Sequence, residues 1–139
     1  MPSIKTLAHI CLLARDLEAT ETFYCEHLEL ANAFTFTKEN RPFGFYLRLD
    51  ERRFIEVFLA GDRPPTTEPR IHHFCLECDD VDGLRERLTA AGIECTEIKL
   101  GVDQSWQFWC KDPDGNELEF HQYTPDSLQF RGGNAEVNW

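Results

Sequence analysis

Four residues in this chain have the type and spacing to hold a divalent cation: His9, Glu56, His73 and Glu119. Imidazole nitrogen and carboxylate oxygen are ligands for borderline divalent metals. The His-to-Glu interval occurs twice, 47 residues from His9 to Glu56 and 46 from His73 to Glu119. A single strand histidine or glutamate usually faces solvent, so the repetition is what singles these four out. Glu56 stands between Ile55 and Val57 with Phe54 and Phe58 beyond them. A carboxylate in such surroundings needs a partner charge or a metal.

The elements that must position these residues follow from hydrophobic periodicity. Thr6–Ala14 reads as a strand, and Asp16 as the N-cap of a helix over Leu17–Leu28. Asn32–Thr37, Phe43–Leu49 and Phe54–Leu59 read as strands. Residues 60–70, with Gly61, Pro64, Pro65 and Pro69, read as a linker. The order then repeats. Ile71–Cys78 is a strand, and Asp80 caps a helix over Val81–Ala91 that stops at Gly92. Ile93–Leu100, Trp106–Cys110 and Glu117–Tyr123 are strands. Asp112 to Asn116 is a turn, because Pro113 presets φ and Gly115 accepts a positive one. Residues 124–139 show no clear period and read as a tail.

A shift of 64 residues aligns His9 with His73, Cys11 with Cys75, Leu12 with Leu76 and Asp16 with Asp80. A shift of 63 aligns Phe45 with Phe108 and Glu56 with Glu119. The expectation is an α+β chain forming one domain, residues 1–139. It is built from two βαβββ modules, about 6–60 and 71–123. Strand alternation puts His9, Glu56, His73 and Glu119 opposite the apolar sets Ile10/Leu12, Ile55/Val57, Phe74/Leu76 and Leu118/Phe120. Phe58, Cys75 and His121 share those second faces and are candidates for substrate contact. His72 competes with His73 by a one-residue slip, and alignment with His9 favours His73. His27 reads as a surface residue.

Composition narrows the partners. Asp plus Glu number 25 against 14 Lys plus Arg, a formal charge of −11, which disfavours phosphate backbones. No apolar run is long enough for a membrane span. The first five residues lack the apolar stretch of a secretory signal, so a cytoplasmic protein with reduced thiols is expected. Cys75 and Cys78 form a C-x-x-C, but on a strand they point to opposite faces, which argues against chelation or a redox turn.

These pieces resemble the glyoxalase I/bleomycin-resistance/extradiol-dioxygenase (vicinal oxygen chelate) superfamily. The resemblance rests on HICLLARDLE at 9–18 with Phe23 and Tyr24, FIEVF at 54–58, HFCLECDDVD at 73–82, Ala91-Gly92 and DPDGNELE at 112–119. It implies paired modules whose sheets form an open cup around a metal held by His9, Glu56, His73 and Glu119. It implies one divalent ion, such as zinc, nickel, cobalt or manganese, a small-molecule substrate and a homodimer. Glutamate at position 56 matches glyoxalase I. The implied activity is therefore a lyase or isomerase moving a proton through an enediolate, with Glu56 and Glu119 as catalytic carboxylates. Antibiotic-binding proteins, epimerases and thiol transferases of the superfamily are the alternatives. Where bacterial glyoxalase I carries glutathione-binding Arg and Asn, this chain has Leu13 and Ala60, so the resemblance does not extend to glutathione.

Overall fold

The computed structural model describes residues 7–62, 71–133 and 135. The chain divides into two compact units, Met1–Thr66 and Thr67–Trp139. Each is built around one four-stranded mixed sheet, and the whole is α+β.

In the first unit, β1 (His9–Ala14) leads to α1 (Leu17–Glu21). The Asp16 carboxylate accepts from the Ala19 N–H at 3.0 Å and caps it. Where the sequence predicts one α-helix to Leu28, the chain instead continues as a π-helical segment, Thr22–His27. Its mark is the Leu28 N–H donating to the Phe23 carbonyl at 3.1 Å. Consecutive α-helical side chains diverge by about 100°. The wider π turn reduces that angle, and two consecutive rings, Phe23 and Tyr24, both enter the core in edge contact at 4.9 Å.

β2 (Ala31–Lys38) and β3 (Arg41–Arg48) are longer than periodicity predicts. They close through a two-residue turn at Glu39 and Asn40, whose φ values are 52° and 60°. Two positive φ values make this a type I′ turn, although Glu39 gives little sign of it. β4 (Phe54–Leu59) completes a sheet of order β1-β4-β3-β2, with β1 parallel to β4. Parallel neighbours need a crossover, and the helical segment supplies it. Phe45, Leu47, Ile55 and Val57 form the buried face.

The second unit repeats the plan. β5 (His73–Glu77) is followed by α2 (Val81–Ala90), which Asp80 caps through the Gly83 N–H at 3.0 Å. Gly92, at φ 83°, ends it: its N–H donates to Thr89 and that of Ile93 to Leu88. β6 (Lys99–Leu100), β7 (Trp106–Lys111) and β8 (Glu117–Gln122) give the order β5-β8-β7-β6, with β5 parallel to β8. Here β6 is far shorter than the predicted Ile93–Leu100. Thr96 replaces a ladder step: its hydroxyl accepts from Trp109 N–H, while Arg85 takes its carbonyl at 2.7 Å. Leu88, Phe108, Leu118 and Phe120 form the core, the two rings stacked at 4.9 Å.

The segment read as a structureless tail contains α3 (Leu128–Arg131). Ser127 is fully buried, 3.0 Å from the Ser105 hydroxyl, and the Leu128 N–H donates to Asp103. No helix among the described residues is long and apolar enough to cross a membrane.

The turn before β8 depends on Asp112. Its carboxylate accepts from the backbone N–H groups of Asp114 and Asn116, both at 2.9 Å, and from the Asn116 amide at 2.8 Å. Asp112→Ala is expected to lower unfolding stability by about 2–4 kcal/mol in urea titration, because hydrogen bonds to a charged acceptor are each worth about 1.5–3 kcal/mol. Gly44 has a different constraint: a Cβ there would stand 2.3 Å from the Val57 carbonyl oxygen. Gly44→Ala should cost about 1–3 kcal/mol by the same measurement, as overpacking does.

Candidate metal centre

The parallel ladders set the same pairing in both units. Cys11 lies opposite Glu56 across β1 and β4, and Cys75 lies opposite Glu119 across β5 and β8. A histidine stands two residues before each cysteine and therefore on the same face. On its other side each glutamate meets an aromatic residue, Tyr46 opposite Glu56 and Trp109 opposite Glu119.

In the first unit, His9 Nε2 is 3.9 Å from Glu56 Oε1, with Glu56 the less exposed of the pair. The Tyr46 hydroxyl lies 3.4 Å from His9 Nδ1. Partial desolvation, its hydrogen bond to Glu56 and the charge of Glu56 hold the Tyr46 hydroxyl above its usual range, so it stays protonated. Rings continue across this face. Phe34 stacks on Tyr46 at 4.6 Å, Phe36 meets Phe58 at 4.8 Å, and Phe54 lies 5.6 Å from Tyr46. Phe58 pairs with Leu13, so an apolar surface borders the His9–Glu56 pair.

In the second unit, His73 Nε2 is 3.3 Å from Glu119 Oε2, and His121 Nε2 is 2.9 Å from Glu119 Oε1. Both oxygens of Glu119 are thus engaged, and Glu119 and His121 are each 8% exposed. The hydrogen bond to Glu119 raises the His121 pKa. Burial opposes this, and the charges of Glu119 and Asp103 add to it. The Trp109 ring lies edge-on to His73 at 4.5 Å. Cys75 is exposed as a residue of an edge strand, but its thiol lies beside Glu119 and His121. Desolvation, then the charge of Glu119, pushes that thiol up to about 12.

Two ligands on one ion, each at about 2.0–2.2 Å, lie about 3–3.5 Å apart. The His73–Glu119 pair already has that separation, and His9–Glu56 reaches it with a closure of about half an ångström. The donors within each pair are therefore of the type and spacing that fit a divalent ion. The structure brings His9 to Glu56 and His73 to Glu119. It puts Cys75 and His121 beside Glu119 and Phe58 among the rings of the first unit. Cys78 lies beyond the end of β5. Sequence reasoning passed over Tyr46, Gln107, Trp109 and Asp103. Tyr46 and Trp109 carried a signal: they align at the shift of 63 that relates Glu56 to Glu119.

Residues 6–120 match the Glyoxalase/Bleomycin resistance protein/Dioxygenase superfamily. Over 124 residues the chain is 29% identical to the glutathione transferase FosA of Serratia marcescens, covering 85% of this chain and 81% of that protein. The fold is shared with the crystal structure of lactoylglutathione lyase from Agrobacterium tumefaciens (TM-score 0.66, 22% identity, 88% of this chain and 96% of that one). It is shared too with TnmS3, an antibiotic binding protein from Streptomyces sp. CB03234 (TM-score 0.71, 19% identity, 89% of this chain and 100% of that one).

One thiol away from the histidine–glutamate pairs gives a direct check on the electrostatics. Burial pushes buried Cys110 up to about 12, from about 9 for a free thiol. The folded state then holds a proton that the unfolded chain releases. This contribution is complete below about pH 9 and is lost as pH rises toward about 12. Denaturant midpoints measured across that window should fall, and Cys110→Ala should make the fall shallower.

Proposed function

The chain belongs to the glyoxalase/bleomycin resistance protein/dioxygenase superfamily, and from that premise we propose that it is a metal-dependent lyase or isomerase. Its substrate is a small molecule with adjacent oxygens, of the α-hydroxycarbonyl type. The observation that carries this reading is the twice-repeated imidazole–carboxylate pair, His9 with Glu56 and His73 with Glu119. A zinc, nickel, cobalt or manganese ion held by these four residues supplies a Lewis acid for the vicinal oxygens. Two such pairs meet within one chain or across a homodimer, the assembly this reading expects.

The two carboxylates divide the work. Glu119 is held through both oxygens, by His73 and by His121, and acts as a fixed anchor. Glu56 is less constrained, with His9 at 3.9 Å and the Tyr46 hydroxyl as neighbours. It is the general base, taking a proton from one carbon, exchanging it with solvent on its carboxyl group and delivering the exchanged proton to the adjacent carbon. Tyr46 donates to Glu56 and orients it. Leu13, Phe34 and Phe58 present apolar surface to the substrate's flank. Leu13 and Ala60 stand where the glutathione contacts of bacterial glyoxalase I lie, so this chemistry does not call for glutathione.

The identity with FosA favours a second reading, transfer of a thiol to the substrate. Proton transfer incorporates solvent deuterium at carbon, whereas thiol transfer adds sulfur and leaves the substrate's carbon-bound hydrogens in place. The test is a panel of α-hydroxycarbonyl compounds with and without glutathione, run in D2O and read by NMR, with metal content measured in parallel. Glu56→Gln should keep the metal and lower kcat by about 10²–10⁴-fold. Glu119→Ala should weaken metal binding by at least about tenfold. Protein that takes up no divalent ion on reconstitution, or product without solvent deuterium, would overturn the reading.

A further inference from the structure

Beside the His73–Glu119 pair stands a second group of donors, which shares Glu119 with it. Cys75 Sγ, a Glu119 carboxylate oxygen and a His121 ring nitrogen lie within 4.8 Å of one another. They stand on one face of two paired strands, Cys75 directly opposite Glu119 and His121 opposite Glu77. We propose that Cys75, Glu119 and His121 form a site for a thiophilic divalent cation of the zinc or cadmium type, which shares only Glu119 with the site assigned to His9, Glu56, His73 and Glu119.

Three observations support the assignment. First, Glu119 turns one oxygen toward His73 and the other toward His121. Its Oε1 therefore faces the side of Cys75 and His121. An ion with bonds of about 2.3 Å to sulfur and about 2.0–2.2 Å to nitrogen and oxygen sets its donors about 3.3–3.7 Å apart. The cluster reaches this by rotation of side chains, with the Glu119–His121 contact opening and the thiol swinging inward. Gln107 Oε1, 3.1 Å from His121 Nε2, is placed to serve as a further oxygen donor.

Second, a carboxylate of the kind that orients a metal-binding histidine stands near the other ring nitrogen of His121. Such a histidine presents its other ring nitrogen to a carboxylate or carbonyl. His121 Nδ1 faces Asp103 Oδ2 at 3.9 Å. Asp103 is itself held: its Oδ2 accepts from Gln129 Nε2 at 2.5 Å and its Oδ1 from the Ser105 N–H at 3.1 Å. Gln129 belongs to α3, so the C-terminal segment acquires a purpose as the buttress behind His121.

Third, the other module lacks this site. Its equivalent positions are Cys11, Glu56 and Phe58. Phe58 stands where His121 would be, so Cys11 and Glu56 have no third donor of that kind. On binding, the Cys75 thiol loses its proton to solvent as the sulfur–metal bond forms, and His121 binds through neutral Nε2.

The proposal shares Glu119 with the proposed catalytic site and is separable from it. Chelator-stripped full-length protein is titrated with Co²⁺ and watched for the near-ultraviolet charge-transfer band of a cobalt thiolate. The band is expected in wild type and in Cys11→Ser, and is expected to be lost in Cys75→Ser. His121→Ala should require at least about tenfold more Co²⁺ to develop it. The double variant His9→Ala/His73→Ala should keep the band, because it removes only nitrogens of the other set. Far-UV circular dichroism checks folding, and Cys75→Ala provides a second thiol-free variant. A wild type without the band, a band that survives Cys75→Ser, or a band lost from the His9→Ala/His73→Ala variant would overturn the assignment. The last result would mean that the thiol joins the ion of the four-residue set. If instead the proposed catalytic reading alone fails, the thiolate band remains.

Discussion

The parallel register between the first and last strand of each module is the constraint on which everything else depends. Ile55 and Val57 in one sheet, and Leu118 and Phe120 in the other, are buried to within 2% exposure. A slip of one residue would take these side chains out of the apolar core and turn Glu56 or Glu119 into it. The cost of burying a carboxylate there, added to the lost apolar burial, holds the register. The same register puts Cys11 across from Glu56 and Cys75 across from Glu119, with each histidine two residues away on the shared face. Core packing and ligand placement are thus one device, used twice.

The two copies have diverged in what surrounds the device. The first module lines its pair with rings: Phe34, Phe36, Tyr46, Phe54 and Phe58 lie in mutual contact. The second surrounds its pair with polar groups: Gln107, His121 and Asp103, with Gln129 and Ser105 behind them. One position accounts for much of this difference, Phe58 in the first module and His121 in the second. Glu119 is consequently restrained through both oxygens, whereas Glu56 keeps more freedom. Carboxylates of the same type in the same register thereby acquire different chemistry from their neighbours.

Much of this was legible in the sequence, for reasons that particular residues make clear. Alternation in Glu117–Gln122 separates an apolar face from a polar one, and in Phe54–Leu59 it sets Glu56 opposite Ile55 and Val57, so the strands and their facing residues could be read directly. The internal shift of 64 and then 63 residues exposed the duplication and hence the α+β paired-module fold. Other features rest on contacts that a one-dimensional pattern does not carry. The π turn at Thr22–His27 answers the need to bury two adjacent rings. Thr96 and Arg85 use up backbone groups that a longer β6 would have paired. The type I′ turn at Glu39 and Asn40 uses residues that do not advertise it. Ser127 and Gln129 matter only because α3 returns to the loop at Asp103 and Ser105, which no local period announces.

The central claim is that both histidine–glutamate pairs bind the same divalent ion. Diffraction from metal-loaded crystals, recorded on either side of the metal's absorption edge, tests it most directly. The account predicts an anomalous peak bonded to His9 and Glu56 from one module and to His73 and Glu119 from another, whether of the same chain or of a second copy. A peak bonded to the histidine and glutamate of a single module, with the other pair left without metal, would contradict it.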